Sequence, residues 1–351
     1  MGNIVLCCDG TSNEFSENNT NVVKLYQMLV RDSPGTQISF YSPGVGTFAS
    51  RGALLPISKR ISRVLGLAIG VGLMANVEEG YTFLMNSWSP GDSVYLFGFS
   101  RGAYTARALA AMLNRCGLLL PGHENLVPYA SKVFADTSRA SWKVAEQFKE
   151  TFGRPVRIRF LGLWDTVSSV GWAWNPKTLP FTSDNSSVDI VRHALAIDER
   201  RAFFRQNSWT GVGDVKQVWF AGVHCDVGGS LPDERSGLSQ IALEWLIKEA
   251  EQAGLRLDSA ARARIFQVKR DHTIIFNDSL KGWWKLAEFY PKLHRKKVGP
   301  KKFKTEIRPN LFGRRTIHDG AVLHESVVKR LADVPQYRPT NLPGQYTVEP
   351  W

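Results

Sequence analysis

The stretch Gly98-Phe99-Ser100-Arg101-Gly102 has the pattern G-x-S-x-G and decides how the chain around it folds. The apolar run 93–97 before it predicts a buried strand. The run 103–113 after it, rich in helix formers with apolar residues three and four apart, predicts a helix. A serine at such a sharp turn holds its hydroxyl clear of the sheet, at a helix N-terminus. Ser100 is therefore the candidate nucleophile, and a purely structural turn is the alternative.

Four other apolar runs predict strands, and helical stretches lie between them. These runs are Asn3–Cys8, Gln37–Tyr41, Val156–Leu163 and Lys216–Gly222. Alternating strands and helices are typical of an α/β protein whose mainly parallel sheet is flanked by helices. The segment Val191–Ala196, which contains His193, has instead the pattern of a helix interior.

Two polar residues at predicted strand ends complete a candidate site with Ser100. Asp165 and His224 each follow an apolar run, and ligands bind at the carboxyl ends of parallel strands. A serine needs a base to take its proton, and an acid behind a histidine holds the correct tautomer. The order serine, acid, histidine along the chain fits this chemistry. We therefore predict Ser100, Asp165 and His224 as the catalytic residues.

These assignments have alternatives. Asp165 also fits ordinary turn chemistry, in which an aspartate caps the turn that follows a strand. His318 and His324 lie late in the chain and are alternative bases. Asp226 precedes two glycines, Gly228-Gly229, so it is interpreted as a structural turn residue.

Backbone N–H groups near the serine are candidates for an oxyanion hole. The residue after the nucleophile, Arg101, supplies one, and Gly10 or Thr11 after the first strand is placed to supply another. A simple turn after the first strand is the alternative. The guanidinium of Arg101 either binds a substrate phosphate or pairs with a carboxylate.

The net charge of +12 is concentrated in one part of the 351-residue chain. Residues 281–315 hold twelve Lys and Arg against two Glu, which indicates an anionic partner. The aromatic and basic residues Trp283, Trp284, Lys296 and Lys297 are candidates for contact with an anionic membrane. Alternatively, the aromatic rings pack onto the core and the charges form a solvated face. No nucleic-acid motif accompanies them, so no nucleic-acid partner is expected.

The change in composition after residue 270 predicts two parts. Residues 1–270 form the core, and residues 271–351 form a basic, aromatic-containing cap or accessory segment. No apolar run reaches the roughly 20 residues that span a bilayer. The N-terminus lacks the basic region of a signal peptide, so we expect synthesis in the cytoplasm without one.

Five motifs together resemble a bacterial α/β-hydrolase family that includes the first class of type VI secretion lipase effectors. They are Asp9–Thr11, Gly98–Arg107, Trp164–Val167, His193–Arg200 and Gly222–Gly229. The resemblance implies an α/β-hydrolase-like fold and phospholipid hydrolysis by Ser100, Asp165 and His224. For an effector it also implies export by a specialised secretion system and an inhibitory partner protein.

The leading prediction is a serine hydrolase that cleaves a carboxylic ester of a lipid through an acyl-enzyme, with no cofactor and no metal. One alternative is a metal-dependent phosphoesterase that uses strand-end residues such as Asp9, Asp165, His224 and Asp226. The other is a non-catalytic, membrane-binding protein with a hydrolase fold.

Overall fold

A central sheet of eight strands organises the protein, and each neighbouring pair in it is parallel. The structure is a computed structural model that describes residues 1–10, 17–31, 35–44, 69–167, 171–172, 175–176, 179–289, 292–299 and 302–351. In sheet order the strands are β12 (Tyr346–Glu349), β11 (Ala321–His324), β8 (Asp214–Phe220), β7 (Val188–Ala196), β4 (Ile158–Trp164), β3 (Ser93–Phe99), β1 (Asn3–Cys8) and β2 (Gln37–Ser42). Two small hairpins lie outside this sheet: β5 (Gly171–Trp172) with β6 (Asn175–Pro176), and β9 (Lys292–Gly299) with β10 (Lys302–Arg308).

Helices cover both faces of the sheet. In chain order they are α1 (Asn21–Met28), α2 (Ile69–Ser87), α3 (Arg101–Cys116), α4 (Val127–Ala135), α5 (Arg139–Phe152), α6 (His224–Gly228), α7 (Gly237–Gln252), α8 (Ser259–Ile265), α9 (Trp283–Ala287) and α10 (Glu325–Asp333). Apolar residues of α1, α7 and α10 share one core cluster. Those of α2 to α5 share the other, on the opposite face. The predicted α/β fold, with a parallel sheet between helices, is confirmed.

The strand order places a crevice beside the G-x-S-x-G motif. Strand β1 lies between β2 and β3, so the chain leaves β1 toward one edge and later continues from β3 toward the other. In doubly wound sheets, ligands bind at this reversal point, outside the carboxyl ends of the strands. Cys8 is opposite Gly98 in the β1–β3 register, so the turns that follow these two strands lie side by side.

The helix prediction for the segment around His193 is wrong, because this segment lies in strand β7. Residues 191–196 of β7 are all buried. A strand covered on both faces loses the alternation of apolar and polar residues, so its short apolar run resembles a buried helix.

The C-terminal stretch predicted as an accessory segment contributes to the main sheet. Strands β11 and β12 extend it beyond β8, and α10 packs against the same core cluster as α1 and α7. Part of the basic stretch 281–315 forms the separate β9–β10 hairpin. Within the described stretches, none of the helices has the length and apolarity to cross a bilayer.

The two glycines of the motif permit a backbone contact that no other residue allows. A Cβ atom on Gly102 would lie 2.2 Å from the carbonyl oxygen of Cys8, and one on Gly98 would lie 2.5 Å from the carbonyl oxygen of Gly102. Helix α3 therefore begins in direct contact with the ends of β1 and β3. Glycine is needed at both positions because any side chain would push the helix away from the sheet.

We expect Gly102→Ala to lower the free energy of unfolding by about 1–3 kcal/mol, because the added methyl group clashes with a backbone carbonyl that cannot rotate away. Gly344→Ala is the matched control, since the nearest atom to its new Cβ lies 3.8 Å away. The control should change stability by less than about 0.5 kcal/mol. Urea denaturation of the two variants tests this, and equal stabilities would contradict it.

Candidate active site

Ser100 occupies a strained backbone conformation between β3 and α3. Its φ of 59° and ψ of −121° lie outside the regions that non-glycine residues normally adopt. Its N–H donates to the carbonyl of Trp164 at 3.0 Å, which ties the turn to the end of β4. Such strain persists only where the surroundings enforce it, and it clusters at functional sites. The serine is thus held in place at the N-terminus of a helix.

His224 and Asp165 form a buried hydrogen-bonded pair. The Nδ1 atom of His224 lies 2.5 Å from Oδ2 of Asp165. An ionised carboxylate only accepts hydrogen bonds, so this contact places the imidazole proton on Nδ1 and leaves Nε2 free to accept. Burial lowers the pKa of His224, although the charge of Asp165 opposes this shift. The imidazole is therefore neutral near pH 7, as a general base requires.

The carboxylate of Asp165 receives four hydrogen bonds. Besides His224, the donors are the N–H of Ala196 at 3.1 Å and the two terminal nitrogens of Arg315, at 2.5 Å from Oδ1 and 3.0 Å from Oδ2. Burial by itself raises the pKa of Asp165, but the charge of Arg315 and the bond from His224 outweigh it and hold this pKa well below its usual range. Asp165 is ionised, and its lone pairs are occupied.

Aromatic rings enclose the imidazole of His224. The ring of Phe99, next to the serine in sequence, lies 4.6 Å from it, and the ring of Phe204 lies 4.9 Å away, edge-on. Gly228 allows this packing, since a Cβ there would lie 1.9 Å from the Phe99 ring. Trp284 contacts Phe204, with ring centroids 5.4 Å apart. The predicted lipid-facing Trp284 is thus one aromatic residue removed from the histidine.

Glu199 makes a second polar contact to His224 and is itself paired with Arg201. Oε2 of Glu199 accepts the backbone N–H of His224 at 3.2 Å and pairs with Nη2 of Arg201 at 2.9 Å. The guanidinium of Arg201 lies over the Phe204 ring, 3.4 Å from its centroid. The site prediction did not include these two residues, although Glu199 lies inside one of the five motifs.

Arg315 is a third residue that sequence reasoning missed as part of the site. It ends a basic run, and nothing in the sequence of that run distinguishes it from the other Lys and Arg residues. In the structure its side chain is 5% exposed and paired with Asp165, 150 residues away in the chain.

The two alternative bases lie elsewhere. His324 is buried at the end of β11, stacks on Phe220 at 4.7 Å, and caps α10 by accepting the N–H of Ser326 through Nδ1. His318 is exposed in the loop before β11. Neither histidine hydrogen-bonds to Asp165, so among the described histidines His224 is the one that the structure pairs with this acid.

Two of the three oxyanion candidates, Arg101 and Gly10, are among the residues that the structure describes. Arg101 is the first residue of α3, and its guanidinium makes no ion pair or hydrogen bond with the residues that the structure describes. Burial lowers the pKa of this guanidinium to about 10. The N–H of Gly10 donates to Oδ1 of Asp9 at 2.6 Å. Thr11 lies outside the described residues.

Three of the four membrane candidates have side chains outside the described part of the structure, namely Trp283, Lys296 and Lys297. The backbone of Trp283 begins α9, and Lys296 and Lys297 lie in β9 opposite Lys304 and Phe303 of β10. Their contact with a membrane stays a prediction.

The candidate metal ligands have protein partners. Asp9 accepts hydrogen bonds from Thr20 at 2.7 Å and from Tyr41 at 2.9 Å. Asp226 accepts the N–H groups of Val223 and Asn277, as a structural turn residue does. Across the described ranges, no three His, Cys, Asp or Glu side chains are grouped as metal ligands. The geometry therefore favours the interpretation in which Asp165 orients a histidine.

A parallel sheet between helices, with a strained serine at a central strand-to-helix turn, defines an α/β-hydrolase-like protein. The chain belongs to the family described as the catalytic domain of Tle1-like type VI secretion phospholipase effectors, whose model matches residues 2–249.

Three other similar proteins are longer than this chain, which matches only part of each. An uncharacterized protein of Saccharomyces cerevisiae is 35% identical over 240 residues, which are 64% of this chain and 35% of that protein. An uncharacterized Pseudomonas aeruginosa structure has a TM-score of 0.43 at 20% identity, covering 75% of this chain and 48% of that one. The Tle1 effector bound to the VgrG spike has a TM-score of 0.37 at 19% identity, covering 66% and 52%. The chain thus spans about a third of the curated relative and about half of each structure.

Buried neutral histidines predict a loss of stability in mild acid. Burial lowers the pKa of His193 to about 3 and that of His324 to about 4. Below the ordinary histidine pKa of about 6.5, the unfolded chain binds protons that the native state does not. The free energy of unfolding should therefore fall between pH 6.5 and 4, by up to about 1.4 kcal/mol per pH unit for each group.

His324→Asn tests this effect, because asparagine also caps helices but does not titrate. Urea denaturation at several pH values should show a shallower loss for this variant, by about 1.4 kcal/mol per pH unit. His318→Asn, at an exposed position, should keep the wild-type slope. An unchanged slope in His324→Asn would rule out the buried histidine as a cause.

Proposed function

We propose that this chain is a serine ester hydrolase that cleaves a carboxylic ester of a phospholipid or a related lipid. The observation that carries the proposal is the strained Ser100 at the N-terminus of α3, whose N–H is bound to the carbonyl of Trp164, next in the chain to the Asp165 that pairs with His224. Membership in a phospholipase effector family supports the lipid substrate.

In the proposed reaction, Nε2 of His224 takes the proton of Ser100 as its Oγ attacks the ester carbonyl. The carbonyl oxygen becomes an oxyanion, and the backbone N–H of Arg101 at the start of α3 donates to it. Of the two candidates for the second donor, Gly10 has its N–H bound to Oδ1 of Asp9, so we propose Thr11. Asp165 stabilises the imidazolium that forms.

The tetrahedral intermediate then collapses. The bond to the alcohol oxygen breaks, His224 returns its proton to that oxygen, and an acyl-enzyme remains on Ser100. In the second half of the reaction, water gives a proton to His224 and attacks the acyl carbon, the bond from that carbon to Oγ of Ser100 breaks, and His224 returns the proton to Oγ. The products are a fatty acid and the lipid alcohol, and the free enzyme is restored.

The surroundings of the site support a lipid rather than a small polar ester. The rings of Phe99 and Phe204 pack on His224, and Trp284 contacts Phe204, so apolar side chains border the proposed base and suit an acyl chain. The guanidinium of Arg101, which has no partner among the residues that the structure describes, is suited to the phosphate of a phospholipid. We include peripheral contact of Trp283, Trp284, Lys296 and Lys297 with an anionic membrane in the proposal.

The family name also supports an effector role. The proposal therefore extends to export by a specialised secretion system and to an inhibitory protein that binds this chain.

Ser100→Ala should abolish ester hydrolysis and covalent labelling by a fluorophosphonate, because no nucleophile remains. His224→Gln should lose about 10³-fold or more in kcat, since the general base is gone. His324→Gln is the matched control and should keep at least about half of the wild-type activity. Mass analysis of products from mixed phospholipids identifies the bond cleaved, and hydrolysis by Ser100→Ala at the wild-type rate would refute the proposal.

Arg101→Met should separate phosphate recognition from chemistry, because the backbone N–H of residue 101 is unchanged. A hydrogen bond to a charged group contributes about 1.5–3 kcal/mol, so kcat/KM for a phospholipid should fall about 10- to 100-fold. A neutral p-nitrophenyl ester should lose less than about threefold. Arg101→Lys should retain part of the phospholipid activity. Equal losses on both substrates would argue against phosphate binding.

A further inference from the structure

Arg315 reaches the proposed acid from a distant part of the chain. It lies in the loop between β10 and β11, and its guanidinium meets both oxygens of Asp165. The same group donates to the carbonyls of Ala196 at 3.1 Å and Phe204 at 2.6 Å. Both side chains of the ion pair are excluded from water, with exposures of 5% and 0%. The contact is therefore a buried, hydrogen-bonded ion pair and not a surface charge pair.

The fork geometry of this pair fixes the orientation of the carboxylate. A guanidinium that donates two parallel bonds to one carboxylate defines the plane of that group, which a lysine cannot do. With its plane fixed, Asp165 presents Oδ2 to Nδ1 of His224. Arg315 also anchors the backbone of Phe204, whose ring packs on the same imidazole.

We propose that Arg315 is a positioning residue for hydrolysis, which holds Asp165 ionised and aligned with His224 and thereby sets the pH range in which the base works. The inference rests on the function proposed above. It adds a residue from the C-terminal part of the chain, beyond the segment 2–249 that the family model matches.

The charges near His224 determine the direction of the effect. Asp165 binds Nδ1 of His224 and Glu199 binds its backbone N–H, while Arg315 is paired with Asp165 and Arg201 with Glu199. His193, on the neighbouring strand β7, accepts the N–H of Thr166 and is neutral because burial lowers its pKa to about 3. Each of the two carboxylates that bind His224 is thus paired with one guanidinium.

Removal of Arg315 leaves an excess of negative charge beside His224. The imidazolium form is then favoured, so the pKa of His224 rises. Since the base acts only when deprotonated, the acidic limb of the rate profile should move to higher pH. The carboxylate of Asp165 also loses two of its hydrogen bonds and its fixed plane, so the rate at the optimum falls as well.

The test measures the rate at which a fluorophosphonate labels Ser100 as a function of pH, together with kcat/KM for a p-nitrophenyl ester. Arg315→Met should lower both by about 10²-fold at the optimum and move the acidic limb up by about one pH unit. Arg315→Lys keeps the charge but loses the fork, so we expect about a tenfold loss with a limb close to that of the wild type. Arg314→Met is the control, since Arg314 faces Asp198 at 3.6 Å instead of Asp165.

The outcomes separate this inference from the proposed function. If Ser100→Ala is inactive while Arg315→Met and Arg315→Lys are folded and have the wild-type pH profile and rate, the role of Arg315 is refuted and the serine mechanism stands. Thermal unfolding identifies a variant that does not fold, and Arg315→Lys then carries the test. Lower stability with an unchanged pH profile in both variants would also overturn the inference, because it would show a merely structural ion pair.

Discussion

The structure depends on one backbone constraint, which is that helix α3 begins in contact with the end of strand β1. Gly102 makes this possible, because its missing side chain would lie 2.2 Å from the Cys8 carbonyl. The close approach forces Ser100 into a φ of 59° and lifts it out of the sheet at the helix N-terminus. The strain at one residue is balanced by the packing of a helix that is buried along most of its length.

A second requirement is that the buried charge of Asp165, close to this turn, has partners. Asp165 is fully buried, and an isolated carboxylate there would be strongly destabilising. The carboxylate is hydrogen-bonded by an imidazole, a backbone N–H and a guanidinium from three separate parts of the chain. Such a pair adds little net stability compared with an apolar substitute, but loss of one partner is costly. The acid is thereby linked to the packing of the C-terminal loop.

The parallel sheet explains why these groups meet. All its strands run in one direction, so β1, β3, β4 and β8 end at the same edge, where Gly10, Ser100, Asp165 and the turn to His224 follow. Residues after 270 contact the side chains at this edge. Trp284 packs on Phe204, Asn277 binds Asp226, and Arg315 binds Asp165.

The sequence by itself determined the α/β class and five of the strands, and it singled out Ser100, Asp165 and His224 as candidates, because local patterns encode a strand, a turn glycine and a polar strand end. It misassigned the segment around His193, since a strand buried on both faces has no alternation. Only the tertiary structure decided that His224 rather than His324 meets Asp165, and that Arg315 is buried beside it. These contacts join residues 59 and 150 positions apart, and their geometry arises from packing that no local pattern records.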